Sequence, residues 1–276
     1  GGIAATAFGM GINGLRPVVE IQFADYIFPA YDQIVNEMAK IRHRSGGEFW
    51  CPVTIRTPAG GGIRGGHHHS QSPESQFTHT PGLKVVYCST PYNAKGLLIS
   101  AIEDNDPVIF FEPKRCYRGP FYGDPHNVPT WSDHPEAEVP ESHYKIPLGD
   151  ARLAIEGDGC TVISWGAMVH VCEQAIKDSG VSCDLIDLQT LVPWDVETVV
   201  KSVTKTGRCV IVHEAPKTSG FGAEMAASIQ ERCFWNLESP IERVTGWDTP
   251  FPHTTEWDYM PGPDRVIEAI VRTQEN

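Results

Sequence analysis

The second half of the chain alternates short apolar runs with segments of helical periodicity, and this pattern restricts the fold more than any other feature. The apolar runs are rich in Val, Ile and Leu and are too short for helices. Strands separated by helices form βαβ units, because parallel strands need a crossover connection. We predict strands at 160–165, 183–188 and 209–213, and helices at 167–178, 195–205 and 223–233.

The first half shows the same signals at wider spacing. It predicts strands at 17–22, 53–56, 83–87 and 108–112, and helices at 1–12, 30–42 and 94–102. A stretch rich in proline and polar residues, without sustained periodicity, separates the halves and is typical of a connection. The sequence therefore predicts an α/β fold of two domains, each around a largely parallel sheet, at 1–120 and 146–276, joined by 121–145.

Charge and apolar composition exclude several classes of protein. A net charge of −13 argues against nonspecific nucleic-acid binding and suits either solubility or attraction of a basic partner. The longest apolar runs, such as 107–111, are far shorter than the roughly 18–20 residues that span a bilayer. We expect neither a membrane anchor nor a secretory signal.

Eight cysteines are scattered along the chain without a C-x-x-C pair. Several fall inside predicted strands. This distribution predicts free, buried thiols in a reducing compartment rather than a disulfide framework or a zinc site.

The segment 57–74, TPAGGGIRGGHHHSQSPE, is the first candidate for chemistry. Its five glycines follow a predicted strand, and glycine allows close backbone approach to a ligand. Three interpretations stay open: a flexible surface loop, a metal site, or an acid–base histidine presented in a cleft. The metal site is disfavoured because adjacent histidines project in different directions.

Three further segments carry polar residues in places where they need partners. In 20–29, EIQFADYIFP, polar side chains interrupt an apolar stretch, for structural or for binding reasons. The run 102–107, IEDNDP, is either a solvated helix end or a site for a hard cation. The run 213–224, HEAPKTSGFGAE, leads from a strand into a helix, where backbone N–H groups favour anions, but it lacks a phosphate-binding fingerprint.

Several long stretches together resemble one family. They include EIQFADYIFPAYDQIVNEMAKIRHRSGG, TIRTPAGGG, HHHSQSPES, STPYNAKGLLISAIEDNDPVIFFEPK, TLVPWD, KTGRCVIVHEAP and RVTGWDTPFPH. The chain resembles the β subunit of 2-oxo acid dehydrogenases over almost its whole length. HSQSPE and FFEPK are more similar to the branched-chain (2-oxoisovalerate) enzyme than to the pyruvate or acetoin enzymes, which stay as the alternative.

The resemblance implies a fold, a cofactor and partners. The first domain would be a transketolase-like pyrimidine-binding domain and the second a transketolase-like C-terminal domain. Two α and two β subunits would form an α2β2 heterotetramer that binds thiamine diphosphate between α and β. The α subunit would hold Mg²⁺, the substrate would be a small 2-oxo acid, and a lipoyl-bearing acyltransferase component would receive the acyl group. The enzyme would be cytoplasmic in a bacterium and in the mitochondrial matrix of a eukaryote.

The resemblance also assigns roles to individual residues. His69 matches the active-site histidine of HSQSPE, Tyr26 a tyrosine that contacts thiamine diphosphate, and Gln22 a polar neighbour in the same pocket. His67 and His68 fall at variable positions and receive no role. A structural K⁺ is implied, with a carboxylate ligand from Asp104 and backbone carbonyl ligands from Cys51, Val53, Thr54, Ala101 and Asp106.

One departure from the family concerns its pyrimidine-facing glutamate. That glutamate precedes the residues that match 1–3, so we expect this sequence to be a fragment that cannot catalyse the reaction as it stands. A different class of hypothesis is an assembly module, whose acidic second domain mainly docks onto a basic subunit-binding domain.

Overall fold

The computed structural model describes residues 1–117 and 137–275. Its strands form two five-stranded sheets. In chain order, the strands are β1 (Val18–Glu20), β2 (Thr54–Ala59), β3 (Lys84–Tyr87), β4 (Val108–Pro113), β5 (Arg152–Ile155), β6 (Cys160–Ser164), β7 (Cys183–Asp187), β8 (Thr190–Val192), β9 (Cys209–Pro216) and β10 (Glu242–Gly246).

Both sheets are mostly parallel, which confirms the predicted α/β class. The first has the order β1-β2-β4-β3-β8 and the second β10-β9-β6-β7-β5. Each has one antiparallel edge strand, β8 beside β3 and β5 beside β7.

Helices flank the sheets and connect the parallel strands. They are α1 (Gly2–Ile12), α2 (Ala39–Arg44), α3 (Glu74–Thr78), α4 (Pro91–Glu103), α5 (Met168–Ser179), α6 (Val196–Thr206), α7 (Phe221–Cys233), α8 (Glu256–Tyr259) and α9 (Pro263–Gln274). The helix predicted at 30–42 passes through a π-helical turn, Gln33–Met38, before α2.

Local sequence explains where several helices begin and end. Thr90 and Asn93 form a capping box at the start of α4, and Asp195 accepts the Thr198 N–H at the start of α6. Gly207 ends α6 in the left-handed conformation, which glycine adopts at little cost.

The two halves share structure, although the sequence predicted them as separate units. Strand β8 follows β7 in the chain but pairs with β3 of the first sheet, with Val85 opposite Val192. One buried cluster contains Phe77 and Phe111 from the first half and Ile163 and Ile186 from the second. The halves are therefore packed through a common apolar core.

Residues 118–136 lie outside the described part of the chain, and they include most of the predicted connection 121–145. All eight cysteines are free, and all but the partly exposed Cys116 are buried, as predicted. In residues 1–117 and 137–275, no helix has both the length and the apolar character needed to cross a membrane.

Candidate active site

The candidate active site lies where chain segments leave the carboxyl ends of the first sheet. Strands β1, β2 and β4 are parallel, so the segments that follow them emerge at one edge. These segments are the 3₁₀ turn Ala24–Tyr26, the loop 60–71 and the turn Lys114–Cys116. The end of β9 reaches the same region, because Glu214 contacts the loop.

His69 lies against two aromatic side chains of the turn after β1. The Tyr26 hydroxyl is 3.3 Å from His69 Nε2, and the two rings meet edge to face with centroids 5.7 Å apart. Phe23 makes a second edge contact, with centroids 5.3 Å apart. The fold thus brings together two residues that the resemblance paired, while Gln22 lies exposed just before Phe23.

The other two histidines of the HHH run point elsewhere. His67 and His68 are exposed, with ring centroids 4.0 Å apart. They line a cleft of about 380 Å³ whose far wall includes Phe251 and Tyr259 from the second half. Within residues 1–117 and 137–275, no three His, Cys, Asp or Glu side chains form a set that could hold a metal ion.

The loop 60–71 is closed at its base by backbone and by a buried carboxylate. The Gly60 N–H donates to the Gln71 carbonyl (3.0 Å). The Gln71 N–H donates to Asp25 Oδ1 (3.1 Å), and Asp25 is buried directly beside Tyr26. This bond ties the histidine loop to the tyrosine turn.

Two more buried carboxylates hold the loop from the second half of the chain. The Gly61 N–H donates to Glu214 Oε2 (2.8 Å). The Arg64 N–H donates to both carboxylate oxygens of Glu256, at 3.0 and 3.1 Å. Burial raises the pKa of Glu214, while the Gly61 N–H and the charges of Arg115 and Lys114 oppose that rise.

Lys114 supplies a buried positive charge beneath the loop. Its Nζ lies 3.8 Å from Asp25 Oδ2 and 4.8 Å from the centre of the Phe23 ring, and its side chain is only 3% exposed. Burial lowers the pKa of Lys114 to about 8, against the attraction of Asp25. Arg115, the next residue, packs over the Trp257 ring at 5.6 Å.

Glu74, the buried glutamate of the HSQSPE motif, links this motif to the second half of the chain. The Trp165 Nε1–H donates to Glu74 Oε1 (3.3 Å), and Trp165 stacks on His213 with centroids 5.2 Å apart. Burial raises the pKa of Glu74 to about 8 and lowers the pKa of His213 to about 4. Both groups are therefore mostly uncharged at neutral pH.

Sequence reasoning missed Glu214, Glu256 and Lys114 as parts of this site. Segment 213–224 was a candidate for its backbone N–H groups and not for the Glu214 carboxylate, and the glycines of the loop indicated only that close neighbours could lie there. A Cβ atom at Gly60 would lie 2.7 Å from Glu214 Oε2, and one at Gly61 would lie 2.5 Å from Phe251 Cζ.

The residues predicted to bind K⁺ lie at the opposite, amino end of the sheet. The Cys51 carbonyl accepts the Val53 N–H (2.8 Å), and the Val53 carbonyl accepts the Val108 N–H (2.9 Å). The Ala101 carbonyl accepts the Asp104 N–H (3.3 Å). Each carbonyl keeps a second lone pair that a cation can use.

Cationic side chains surround the acidic members of this set. Lys84 Nζ lies 2.5 Å from Asp104 Oδ2, and Arg42 contacts Asp106 at 2.7 Å. Arg16 donates to the Asp104 carbonyl (2.7 Å). A potassium ion here would have to share the Asp104 carboxylate with Lys84, a competitor that the sequence did not reveal.

Two family models match the chain. Residues 1–120 match the transketolase pyrimidine-binding domain, and residues 149–266 match the transketolase C-terminal domain.

Two relatives have high sequence identity. The 2-oxoisovalerate dehydrogenase subunit β of Pseudomonas aeruginosa is 56% identical over 276 residues, covering 99% of this chain and 79% of that protein. The mitochondrial 2-oxoisovalerate dehydrogenase subunit β of Dictyostelium discoideum is 56% identical over 277 residues, covering 99% of this chain and 71% of that protein.

A solved structure is similar in fold. A split-gene transketolase, described as an inactive β4 tetramer, gives a TM-score of 0.74 at 19% identity, covering 99% of this chain and 81% of that chain. At this identity the likeness concerns the fold alone.

Proposed function

The chain belongs to the family of 2-oxoisovalerate dehydrogenase β subunits, and from this membership we propose that it is the β subunit of a branched-chain 2-oxo acid dehydrogenase. The reaction is the oxidative decarboxylation of a branched-chain 2-oxo acid such as 3-methyl-2-oxobutanoate, with reductive acylation of a lipoyl group. The observation that carries the proposal is the contact between His69 of HSQSPE and Tyr26 at the carboxyl edge of the first sheet.

The residues around His69 fit an aromatic cofactor ring. Tyr26 is 48% exposed, so aromatic surface is left uncovered beside the histidine. Aromatic side chains favour flat rings by stacking and edge contacts. Thiamine diphosphate, when bound, supplies the nucleophilic carbon and the electron sink for decarboxylation. Tyr26 and Gln22 would contact its pyrimidine side.

His69 would move the proton in acyl transfer. An imidazole can donate and accept a proton near neutral pH. The Tyr26 hydroxyl at Nε2 and the Phe23 edge fix the ring orientation. In this position His69 would stabilise the reacting centre and give a proton to the lipoyl sulfur that leaves the dithiolane.

The proposed partners are an α subunit and a lipoyl-bearing acyltransferase. The α subunit would hold the diphosphate and Mg²⁺ and would complete an α2β2 heterotetramer. Relatives from a bacterium and from mitochondria support a compartment that depends on the source organism. We propose the cytoplasm for a bacterial chain and the matrix for a eukaryotic one.

The substrate assignment is tested with the full-length β chain assembled with its α subunit. We expect kcat/KM for 3-methyl-2-oxobutanoate to exceed that for pyruvate by about 10-fold or more, because each buried methyl group contributes discrimination of that order. The measurement is steady-state decarboxylation of both acids under identical conditions. A preference for pyruvate would assign the chain to the pyruvate or acetoin enzymes instead.

We also propose a structural K⁺ bound by Asp104 and by carbonyls that include those of Cys51 and Ala101. We expect KCl to raise the Tm by about 2–6 °C over NaCl at equal ionic strength, because a ligand that binds only the folded state stabilises it. Thermal unfolding of the assembled enzyme measures the difference. The Asp104→Ala variant, which removes the side-chain ligand, should reduce the difference, and equal Tm values in both salts for the unmodified protein would remove K⁺ from the proposal.

A further inference from the structure

We infer that the second half of the chain positions the active-site histidine, with Glu214 acting as a positioning residue through the backbone of loop 60–71. The inference rests on the proposed function of His69. Glu214 lies in β9 of the second sheet, 153 residues from the loop N–H that it accepts. It does not contact His69 itself.

The first step is the closeness of the loop to Glu214. The Gly61 N–H donates to Glu214 Oε2 at 2.8 Å. A Cβ atom at Gly60 would be 2.7 Å from the same oxygen. A side chain at Gly60 would have to displace the Glu214 carboxylate, so the loop backbone and this carboxylate are in close contact.

The second step leads from Gly61 to His69. Gly60, next to Gly61, donates its N–H to the Gln71 carbonyl, so the two strands of the loop base are joined. Gln71 in turn donates to Asp25. Glu214 therefore holds one side of the loop base at Gly61 and Asp25 holds the other at Gln71, and His69 lies between these two residues in the sequence.

The third step concerns the charges. Ionised carboxylates are costly to bury unless cations and hydrogen bonds compensate them. Lys114 and Arg115 lie in the turn after β4, and both attract Glu214. Glu256 adds a second contact from the same half of the chain through the Arg64 N–H. The buried cluster is thus arranged around the loop backbone.

The experiment uses the assembled enzyme with the full-length β chain and compares two assays. One follows acylation of an isolated lipoyl domain, and the other follows 2-oxo acid decarboxylation with ferricyanide as electron acceptor. We expect Glu214→Ala to lower kcat for acylation by about 10- to 100-fold, because small misplacements of a reacting group have effects of this size. Decarboxylation should fall much less.

Two conservative variants distinguish the effect of the length of the Glu214 side chain from the effect of its charge. Glu214→Gln keeps an oxygen that can accept the Gly61 N–H and should restore most of the acylation rate. Glu214→Asp keeps the charge but shortens the side chain, so it should remain impaired. Both variants change the buried volume little, so they also test the inference if Glu214→Ala does not assemble.

A double variant tests whether Glu214 acts through His69. With His69 replaced by alanine, Glu214→Ala should cause no further loss of acylation, because nothing is left to position. Glu231→Ala, on α7 with a side chain 78% exposed, serves as a control in the second half and should match the unmodified enzyme.

Two results would count against the inference in different ways. Independent, multiplicative losses from His69→Ala and Glu214→Ala, or equal losses in both assays, would show that Glu214 does not act through His69. Unimpaired acylation by His69→Ala alone would overturn the role of His69 in the proposed function, and the positioning role with it.

Discussion

Replacing His69 by alanine should lower the rate of lipoyl acylation by about 100- to 10,000-fold while leaving the β chain able to assemble with its α subunit. Proton transfer by a positioned side chain accounts for rate factors of this size. His69 is partly exposed on a loop whose base is held by other residues, so its removal leaves the loop contacts in place. Acylation of an isolated lipoyl domain and size-exclusion analysis of the assembly measure the two outcomes.

His67 provides the matched control for this experiment. It lies in the same HHH run, is exposed, and faces the cleft toward Phe251 rather than Tyr26. His67→Ala should therefore acylate lipoyl domains at the rate of the unmodified enzyme. If His69→Ala acylates as fast as His67→Ala, His69 has no part in the chemistry, and the alternative of a chain that serves mainly in assembly gains support.

The regular elements of the second half were predictable because local signals agree with burial there. Every residue of β6 and β7 is buried, and each strand has an apolar centre that the sequence shows, Val162 and Ile163 in β6 and Leu185 and Ile186 in β7. The helix predicted at 195–205 corresponds to α6, which Asp195 caps at its start and Gly207 at its end.

Strand β8 was not predictable for a physical reason. It has only three residues, Thr190–Val192, and it lies in the sequence directly after β7 of the other sheet. Its place is decided by pairing with Val85 and Val86, about a hundred residues earlier in the chain. Such a pairing leaves no local pattern, so the sharing of one sheet between the two halves was missed.

The candidate site was predicted only in part, and the missing part is the one held by backbone contacts. His69 in HSQSPE and Tyr26 in the turn after β1 could be assigned because their side chains match positions of the family's sequence motifs. Glu214 and Glu256 act on loop N–H groups 153 and 192 residues away in sequence. A backbone N–H is the same in nearly every residue, so the loop sequence does not indicate which carboxylate it meets.

The acidic run after α4 shows a similar limit. The sequence offered a solvated helix end or a cation site. The structure places Lys84 and Arg42 against Asp104 and Asp106. These cations come from distant segments, so neutralisation of the run could not be inferred from its own residues.

Glu74→Gln should remove a large pH dependence of stability between pH 4.5 and pH 8. Burial raises the pKa of Glu74 to about 8 from the ordinary 4.5, so the folded protein holds a proton that the unfolded chain releases in this range. The contribution of this proton to the free energy of unfolding therefore decreases as pH rises from 4.5, and it is fully lost above pH 8. The shift corresponds to roughly 3–5 kcal/mol.

The comparison is made on the difference in unfolding free energy between the two proteins across pH 4.5–9. Relative to the unmodified chain, Glu74→Gln should gain roughly 3–5 kcal/mol of stability over this range. Its amide oxygen can still accept the Trp165 N–H, and its amide nitrogen replaces Oε2, which has no hydrogen-bond partner among the described residues. That replacement changes the difference in unfolding free energy by the same amount at every pH, so it leaves the pH dependence of the difference unaffected. His213 is present in both proteins, so its titration cancels.

The slope of the difference therefore reports on Glu74 alone. The exposed Glu224→Gln on α7 should give a difference that is nearly flat across the same range. A flat difference for Glu74→Gln, or a loss of stability above pH 7, would mean that Glu74 is ionised in the folded protein. An ionised Glu74 would need a compensating cation near Trp165. The structure places the Glu74 carboxylate beside the Trp165 indole instead, and the nearby Glu214 carboxylate raises the pKa of Glu74 further.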